Sequence, residues 1–452
     1  MKITIVGAGI IGSNLAKDLA EQNHEVYIVE KDPEVAAKVN EKIDAKMIEG
    51  EGSDPNILKE AGIESADLVI AVTASDEVNF VVCSLAEAFG AKKRIARIRN
   101  PSLSQTINSI GHDHFSIDEI INPELVAAQQ IVKLVKAPGS HEVADFAEGR
   151  ILLRSFVISE KSPLRHMRVG DLKDEYSPWP FLIIAIKREA EVIIPKGNTI
   201  VEEKDRIYVL LPTNSLGEFL AFVDPDVRRP EKVIIYGATI MGERIARDLL
   251  GYAKEVVILE ENENIANSLA GRLNNVRVFN GSPSEAEILK ECGVEVADVF
   301  ISASASDHSN LVCAVLAKRM GAKKTIIVTQ QPDFLAIKDS LDIDLMINPR
   351  FLAVDQILRL VRGRGVNAVI KIVGCNAEAL ELVPERDSPI TRASLKDIKF
   401  PQNCIVGAVF RENEAFLADG NTKINAGEET IVFCHEDCVP KIQKLFTRKK
   451  FL

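Results

Sequence analysis

Short β-branched runs alternate with amphipathic segments along the first part of the chain. KITIVGAG is a strand running into a turn, Ser13 to Gln22 reads as a helix, EVYIVE as a second strand and ADLVIAVT as another. Runs of this length separated by helical periodicity predict βαβ units on a parallel sheet. A longer helical pattern closes this part, with Ala128, Ile131, Val132 and Val135 at i, i+3, i+4 and i+7. Such a stripe packs either on its own sheet or on a partner domain, and the pattern leaves both open. From about Gly139 to Val223 the texture changes to short alternating strands around PLRHMRVGDL and IPKGNTIVEEKDRIYVL. These predict a small, strand-rich α+β module.

The whole pattern then recurs. GAGIIG at Gly7 to Gly12 is answered by GATIMG at Gly237 to Gly242, and IVE ending at Glu30 by ILE ending at Glu260. The stretch from Ala61, AGIESADLVIAVTASDEVN, matches CGVEVADVFISASASDHSN from Cys292; INP occurs at Ile121 and Ile347, and GNT at Gly197 and Gly420. The second closing helix carries Val354, Ile357, Leu358 and Val361 at the same spacing, and PITRASLKDI and LADGNTKINAGEETIVF mark a second module. Ordered matches over nearly the full length point to duplication of a unit of about half the chain. The charged, proline-bounded DPDVRRP (Asp224 to Pro230) is the expected linker. The expected domains are 1–138 and 231–362, both Rossmann-type with parallel sheets, followed respectively by modules 139–225 and 363–452.

Composition narrows the class. With 452 residues, 46% of them hydrophobic, several domains can have real cores. A net charge of −11 argues against nucleic acid as the partner, since a phosphate backbone attracts a basic surface. Seven scattered cysteines without CxxC spacing suggest buried thiols in a reducing compartment. Apolar stretches such as FLIIAI (Phe181 to Ile186) are far below the roughly 18–20 residues that span a bilayer. The N-terminal strand pattern is not a signal peptide. A soluble, cytoplasmic chain is expected.

The candidate chemistry lies in the first glycine turn. A strand runs straight into G-x-G-x-x-G and a helix follows, which is the context the motif needs. Gly7 permits the tight turn, Gly9 leaves room for a pyrophosphate, and Gly12 allows close helix–strand packing. Ala8, Ile10 and Ile11 complete the turn, whose helix N-terminus presents unpaired N–H groups to phosphate. Glu30 ends the second strand, where it can accept hydrogen bonds from a ribose and repel a 2′-phosphate. NAD, NADH or an adenine nucleotide is therefore favoured over NADP. Thr73 and Ala74 end the fourth strand, at the edge where open α/β sheets bind ligands. Ser75, Asp76 and Glu77 read as a helix cap with an acidic first turn. Arg97 and Arg99, in RIARIRNP, alternate with apolar residues on one face of a fifth strand and can reach phosphate.

The second copy is the weaker site. Gly237, Ala238, Ile240, Met241 and Glu260 are in place, but Thr239 puts a β-branched side chain where the pyrophosphate passes, and TIIVTQQP has no arginine. Binding there stays open. No metal site is expected: CHEDC (Cys434 to Cys438) lacks the second ligand cluster that a zinc site needs. No catalytic residue is expected either, because none of the seven histidines is placed as a dehydrogenase acid/base.

The duplicated order GAGIIG…IVE…AVTASDEVN…RIARIR, with two strand-rich modules, resembles the TrkA family over the whole chain. That family comprises cytosolic regulatory subunits of Trk-type potassium uptake systems. The resemblance implies two Rossmann-type RCK N-domains, each followed by an RCK C-domain. It implies a nucleotide (NAD or NADH, with ATP or ADP as alternatives) on Gly7 to Ile11, Glu30, Thr73, Ala74 and Arg97. The family's Gly-Asp after the third strand is Gly50-Glu51 here, which keeps an acid at Glu51, and Gly281-Ser282 in the second half. The closing helices resemble those through which RCK domains dimerise. The implied partners are an integral-membrane Trk-type transporter subunit and further copies of the chain in a ring, a dimer or a tetramer. The implied location is the inner face of the membrane, reached through that partner. The competing reading is an NAD-dependent dehydrogenase. It would require a separate substrate domain, whereas here two similar small modules follow two similar sheets.

Overall fold

The computed structural model describes residues 1–146, 149–172, 180–189, 191–361, 366–371, 377–411 and 414–448. The expected boundary between 362 and 363 lies outside the described residues. The first parallel sheet comprises β1 (Lys2–Val6), β2 (Glu25–Glu30), β3 (Lys46–Glu49), β4 (Leu68–Ala71), β5 (Arg94–Arg97) and β6 (Glu119–Ile121), ordered β3-β2-β1-β4-β5-β6. A five-stranded sheet follows: β7 (Ser140–Phe146), β8 (Ile151–Val157), β9 (Leu182–Arg188), β10 (Glu191–Ile193) and β11 (Arg206–Pro212), ordered β10-β9-β11-β8-β7. Its neighbours pair antiparallel.

Both arrangements recur. The second parallel sheet has β12 (Lys232–Tyr236), β13 (Glu255–Glu260), β14 (Arg277–Asn280), β15 (Val299–Ser302), β16 (Lys324–Val328) and β17 (Leu345–Ile347), ordered β14-β13-β12-β15-β16-β17. The last sheet has β18 (Val366–Lys371), β19 (Ala377–Leu382), β20 (Cys404–Arg411), β21 (Glu414–Leu417) and β22 (Thr430–His435), ordered β18-β19-β22-β20-β21. The fold is therefore α/β, with two Rossmann-type sheets each followed by a small antiparallel α+β module.

The chain divides into two compact units that do not coincide with the sequence halves. One comprises Met1–Gln129, Lys232–Leu250 and Glu255–Val361, and so holds both parallel sheets; the other comprises Gln130–Glu231, Gly251–Lys254 and Arg362–Leu452. Within the first unit, β4 is buried throughout and β1 from Ile3 to Val6, as expected for parallel strands covered on both faces. Sheet order reverses between β1 and β4, which opens a crevice at their C-terminal ends.

The helix Pro349–Val361 answers the question its stripe left open. Ala353, Val354, Ile357, Leu358 and Val361 are buried in one cluster with Ile3, Ile5, Leu15 and Leu19 of the other half. The helix thus crosses to the first domain and packs on the glycine-turn helix Ile10–Glu21. Each fully buried large aliphatic contributes roughly 1.5–3 kcal/mol, so this exchange is a major part of the first domain's core. In the second unit the two small sheets share a core, in which Phe146, Leu153, Tyr208 and Leu210 meet Ala379, Ala408 and Phe433. Among the described residues no helix is long and apolar enough to cross a membrane.

Candidate functional site

The glycine-turn helix begins at Ile10, earlier than the expected Ser13. Gly12 is a helical residue despite its low propensity, because a Cβ there would lie 1.8 Å from the Gly7 carbonyl oxygen. Gly7 has φ +104°, and its Cβ would sit 3.0 Å from Thr73 N, so this turn excludes side chains twice over. Gly9 differs. A Cβ there meets nothing within 4 Å, and as N-cap residue it contributes no side-chain cap to the first turn. The first-turn amides of this helix therefore receive no side-chain cap.

Glu30 is anchored from several directions. Its carboxylate accepts from Ala8 N at 2.7 Å, Lys31 N at 2.9 Å and Asp32 N at 3.1 Å. Across the crevice, buried Asn79 ties β4 to β5. Its Oδ1 accepts from Thr73 N at 2.9 Å and from the Thr73 hydroxyl at 2.7 Å, while its Nδ2 donates to Arg97 O at 2.8 Å. Ser75 caps the next helix by accepting from Val78 N, as its position in the sequence suggested. β5 ends at Arg97, so Arg99 lies just beyond the strand; it is exposed and donates to Ala74 O at 2.6 Å, beside Arg97 Nη1 on Thr73 O at 3.4 Å.

These groups surround a cavity of about 580 Å³. Gly7, Gly9, Ile10, Ile11, Glu30, Glu51, Thr73, Ala74 and Arg97 all line it. Ala8 and Gly12 lie behind the lining, Ala8 as the donor to Glu30 and Gly12 against Gly7. Arg97 Nε is shielded from solvent and has no hydrogen-bond partner. Burial pulls its guanidinium below the ordinary arginine value; the Glu124 carboxylate opposes this shift, and the charges of Arg99 and Arg350 add to it. The volume suits a nucleotide-sized ligand, since such sites run about 300–1,000 Å³. The polar groups are arranged for one: a carboxylate at one side, an uncapped helix start, and a cationic group with unused donor capacity.

The second copy is assembled differently. Thr239 is the N-cap of Ile240–Leu249; its hydroxyl accepts from Gly242 N at 3.1 Å and donates to Ala303 O at 2.9 Å. The side chain that replaces the middle glycine therefore fills the turn and satisfies a donor that an anion would use. Thr239, Ile240 and Met241 line a smaller cavity of about 180 Å³, which Gly237, Ala238 and Glu260 do not line. Glu260 takes Ala238 N at 2.7 Å and Asn262 N at 2.9 Å, as Glu30 does in the first copy. Ser282 Oγ donates to Glu261 Oε1 at 3.0 Å.

Two contributors went unread in the sequence. Asn79 has a counterpart in Asn310, which binds Ser304 N at 2.9 Å and Val328 O at 3.0 Å, and its signal was the Asn shared by SDEVN and SDHSN. Arg350, from the second half, lines the first cavity; its only trace was the residue after the repeated Asn-Pro. Among the described residues no group of three or more His, Cys, Asp or Glu is arranged to hold a metal ion. Cys434 is buried, while Cys404 and Cys438 are half-buried. Burial pushes the Cys83 thiol up to about 12.

The TrkA-N domain family model matches residues 3–123 and 233–349, and the TrkA-C domain model matches 153–224 and 380–447. The Trk system potassium uptake protein TrkA of Haemophilus influenzae is 31% identical over 457 residues, covering 100% of both chains. The chain belongs to the TrkA family. Another relative, the Trk system potassium uptake protein TrkA homolog 1 of Methanosarcina mazei, is 30% identical over 99% of this TrkA-family chain and 100% of its own length. Among solved structures, the GsuK channel bound to NAD superposes with a TM-score of 0.62 at 14% identity, covering 98% of this chain and 78% of that one. That likeness is one of fold: the tandem sheet-and-module arrangement is shared.

Proposed function

We propose that this TrkA-family chain is a nucleotide-sensing regulatory subunit of a potassium uptake transporter, and that its first parallel-sheet domain holds the nucleotide. The carrying observation is the 580 Å³ cavity, in which the uncapped glycine turn, Glu30 and Arg97 converge. Glu30 would take the ribose hydroxyls, Gly9 would admit the pyrophosphate to the helix start, and Arg97 would meet its charge. Thr73, Ala74 and Glu51 would line the remaining wall. NAD or NADH is the ligand proposed, with ATP or ADP as smaller alternatives; the GsuK channel with the same fold was solved with NAD. In the second domain Thr239 disfavours a pyrophosphate across the turn, so any occupancy by way of Gly237, Ala238, Ile240, Met241 and Glu260 would be weaker.

The transporter role rests on full-length relatives named as potassium uptake proteins. We place the chain at the inner face of the membrane, bound to an integral-membrane subunit and assembled with its own copies into a dimeric or tetrameric ring. Its domains would run 1–138, 139–225, 231–362 and 363–452. The reading is non-enzymatic, and it rests on the relatives being named as potassium uptake proteins. Calorimetric titration of the purified chain with NAD, NADH, ATP and ADP tests the site. Saturable binding is expected; no binding by any of the four would overturn the proposal. Turnover of NADH with 2-oxo acids would favour a dehydrogenase instead.

A further inference from the structure

The repeat places two oppositely charged residues at one motif position. Asn122-Pro123-Glu124 opens the first closing helix, Pro123–Lys136, and Asn348-Pro349-Arg350 opens the second. Both asparagines cap the helix start: Asn122 Oδ1 accepts from Leu125 N at 3.0 Å, and Asn348 Oδ1 accepts from Arg350 N at 2.9 Å. Because Pro349–Val361 packs on the helix Ile10–Glu21, Arg350 is delivered to the other half, where it lines the larger cavity with Ile10, Gly9 and Arg97. Glu124 lines the smaller cavity with Thr239 and Ile240.

The two arginines stand on the wall between the cavities, since both residues line both. Arg97 Nη1 reaches the Thr73 carbonyl at 3.4 Å, and Arg350 Nη2 reaches the Gln330 amide oxygen at 2.7 Å, so these bonds go to neutral acceptors. On the smaller side Glu124 and Asp307 face them; on the larger side the uncapped turn does. Two like charges held beside an uncapped helix start favour an anion between them.

We propose that Arg350 is a phosphate ligand of the first domain's nucleotide, so that this site is incomplete without the second domain. The inference rests on the nucleotide reading above. A planar guanidinium can grip two phosphate oxygens at once, whereas an ammonium offers one point of charge. Arg350 would thus bind the phosphate on the Arg97 side, away from the ribose held by Glu30. Filling the first domain would then pull on a helix that belongs to the second. The smaller cavity, where Glu124 stands at the equivalent position, would not gain the same ligand.

The test is calorimetry on the full chain with ADP and with adenosine, comparing wild type, Arg350→Ala and Arg350→Lys. ADP affinity is expected to fall about 10- to 100-fold in Arg350→Ala, the scale of a lost charge-assisted hydrogen bond, and less in Arg350→Lys. Adenosine affinity should stay unchanged, which a merely misfolded site would not permit. Wild-type ADP affinity in Arg350→Ala overturns the inference and leaves the nucleotide reading standing. An equal loss for ADP and adenosine also overturns it, by assigning Arg350 a structural role. No ADP binding to the wild-type chain overturns both.

Discussion

At the scale of single residues, the three glycines of the first turn separate into two kinds. Gly7 and Gly12 are required by the backbone: one adopts a left-handed φ, and the other touches a carbonyl oxygen. Gly9 has no such backbone need, since its Cβ would have open space, and on the proposed function it is the ligand that requires it. Gly9→Val should therefore leave thermal stability near wild type and abolish most NADH binding, whereas Gly12→Val should damage both. A Gly9→Val chain that binds NADH normally would remove the turn from the site. In the proposed site Glu30 would discriminate by charge. Glu30→Ala should narrow the gap between NAD and NADP by roughly 1–2 kcal/mol in competition titrations, about one charge-assisted hydrogen bond. Equal affinity of the wild-type chain for both cofactors would contradict its role.

At the scale of elements, the crossing helix and the module strands each carry a prediction. Ile357 is fully buried among first-domain aliphatics. Ile357→Ala should cost about 2–5 kcal/mol in denaturant unfolding, and it should weaken ADP binding because Arg350 rides on the same helix. Intact ADP affinity in a clearly destabilised variant would show that the helix position does not matter to the cavity. In the first module, β7 and β8 hold a charge pair of half-buried Asp145 and buried Arg154. Arg154 Nη1 lies 3.0 Å from Asp145, and Lys133 Nζ lies 2.7 Å from it. Burial alone would raise the Asp145 carboxyl, but the Lys133 hydrogen bond and the Arg154 charge outweigh it and hold the group below the usual carboxylate range. A depressed carboxylate stabilises the fold above its unfolded pKa of about 3.9, and that contribution disappears as pH falls through the folded value. Asp145→Asn should destabilise the chain by about 3 kcal/mol at pH 7, because Arg154 is left buried without its charge partner. In urea unfolding the difference from wild type should shrink below pH 4; a pH-independent difference would refute the assignment.

At the scale of the whole molecule, duplication puts two related sheet-and-module units into one chain, and under the proposed function such tandem units would close into a symmetric ring that senses nucleotide. A nucleotide can shift such a ring only through its differential affinity for the two arrangements, and the transporter's state must then feed back on nucleotide affinity. Ile131 and Val135 of the first closing helix are buried. Because Ile131 is buried within the chain, Ile131→Asp should lower stability in urea unfolding, while Ile131→Val should cost only about 0.5–1.5 kcal/mol. In cells that contain the cognate membrane subunit, loss of this chain should change potassium uptake in a nucleotide-dependent way. Unchanged uptake at every nucleotide level would refute the regulatory role.

The repeat, both parallel sheets, the glycine turn and the place of Glu30 at the end of the second strand were legible along the chain. Each is a local signal: strand and helix periods, turn chemistry, or an acid at a fixed distance from a turn. The first helix runs Ile10–Glu21, three residues earlier than the expected Ser13, and Gly12 is accommodated inside it because a Cβ there would meet the Gly7 carbonyl oxygen. Arg350 and the destination of the helix Pro349–Val361 could not be read that way. A hydrophobic stripe states that a face is buried, not against which surface, because apolar burial is non-directional. Long-range packing chose the first domain's helix over the second domain's own sheet, and that choice carried a charge from one half into the other's cavity.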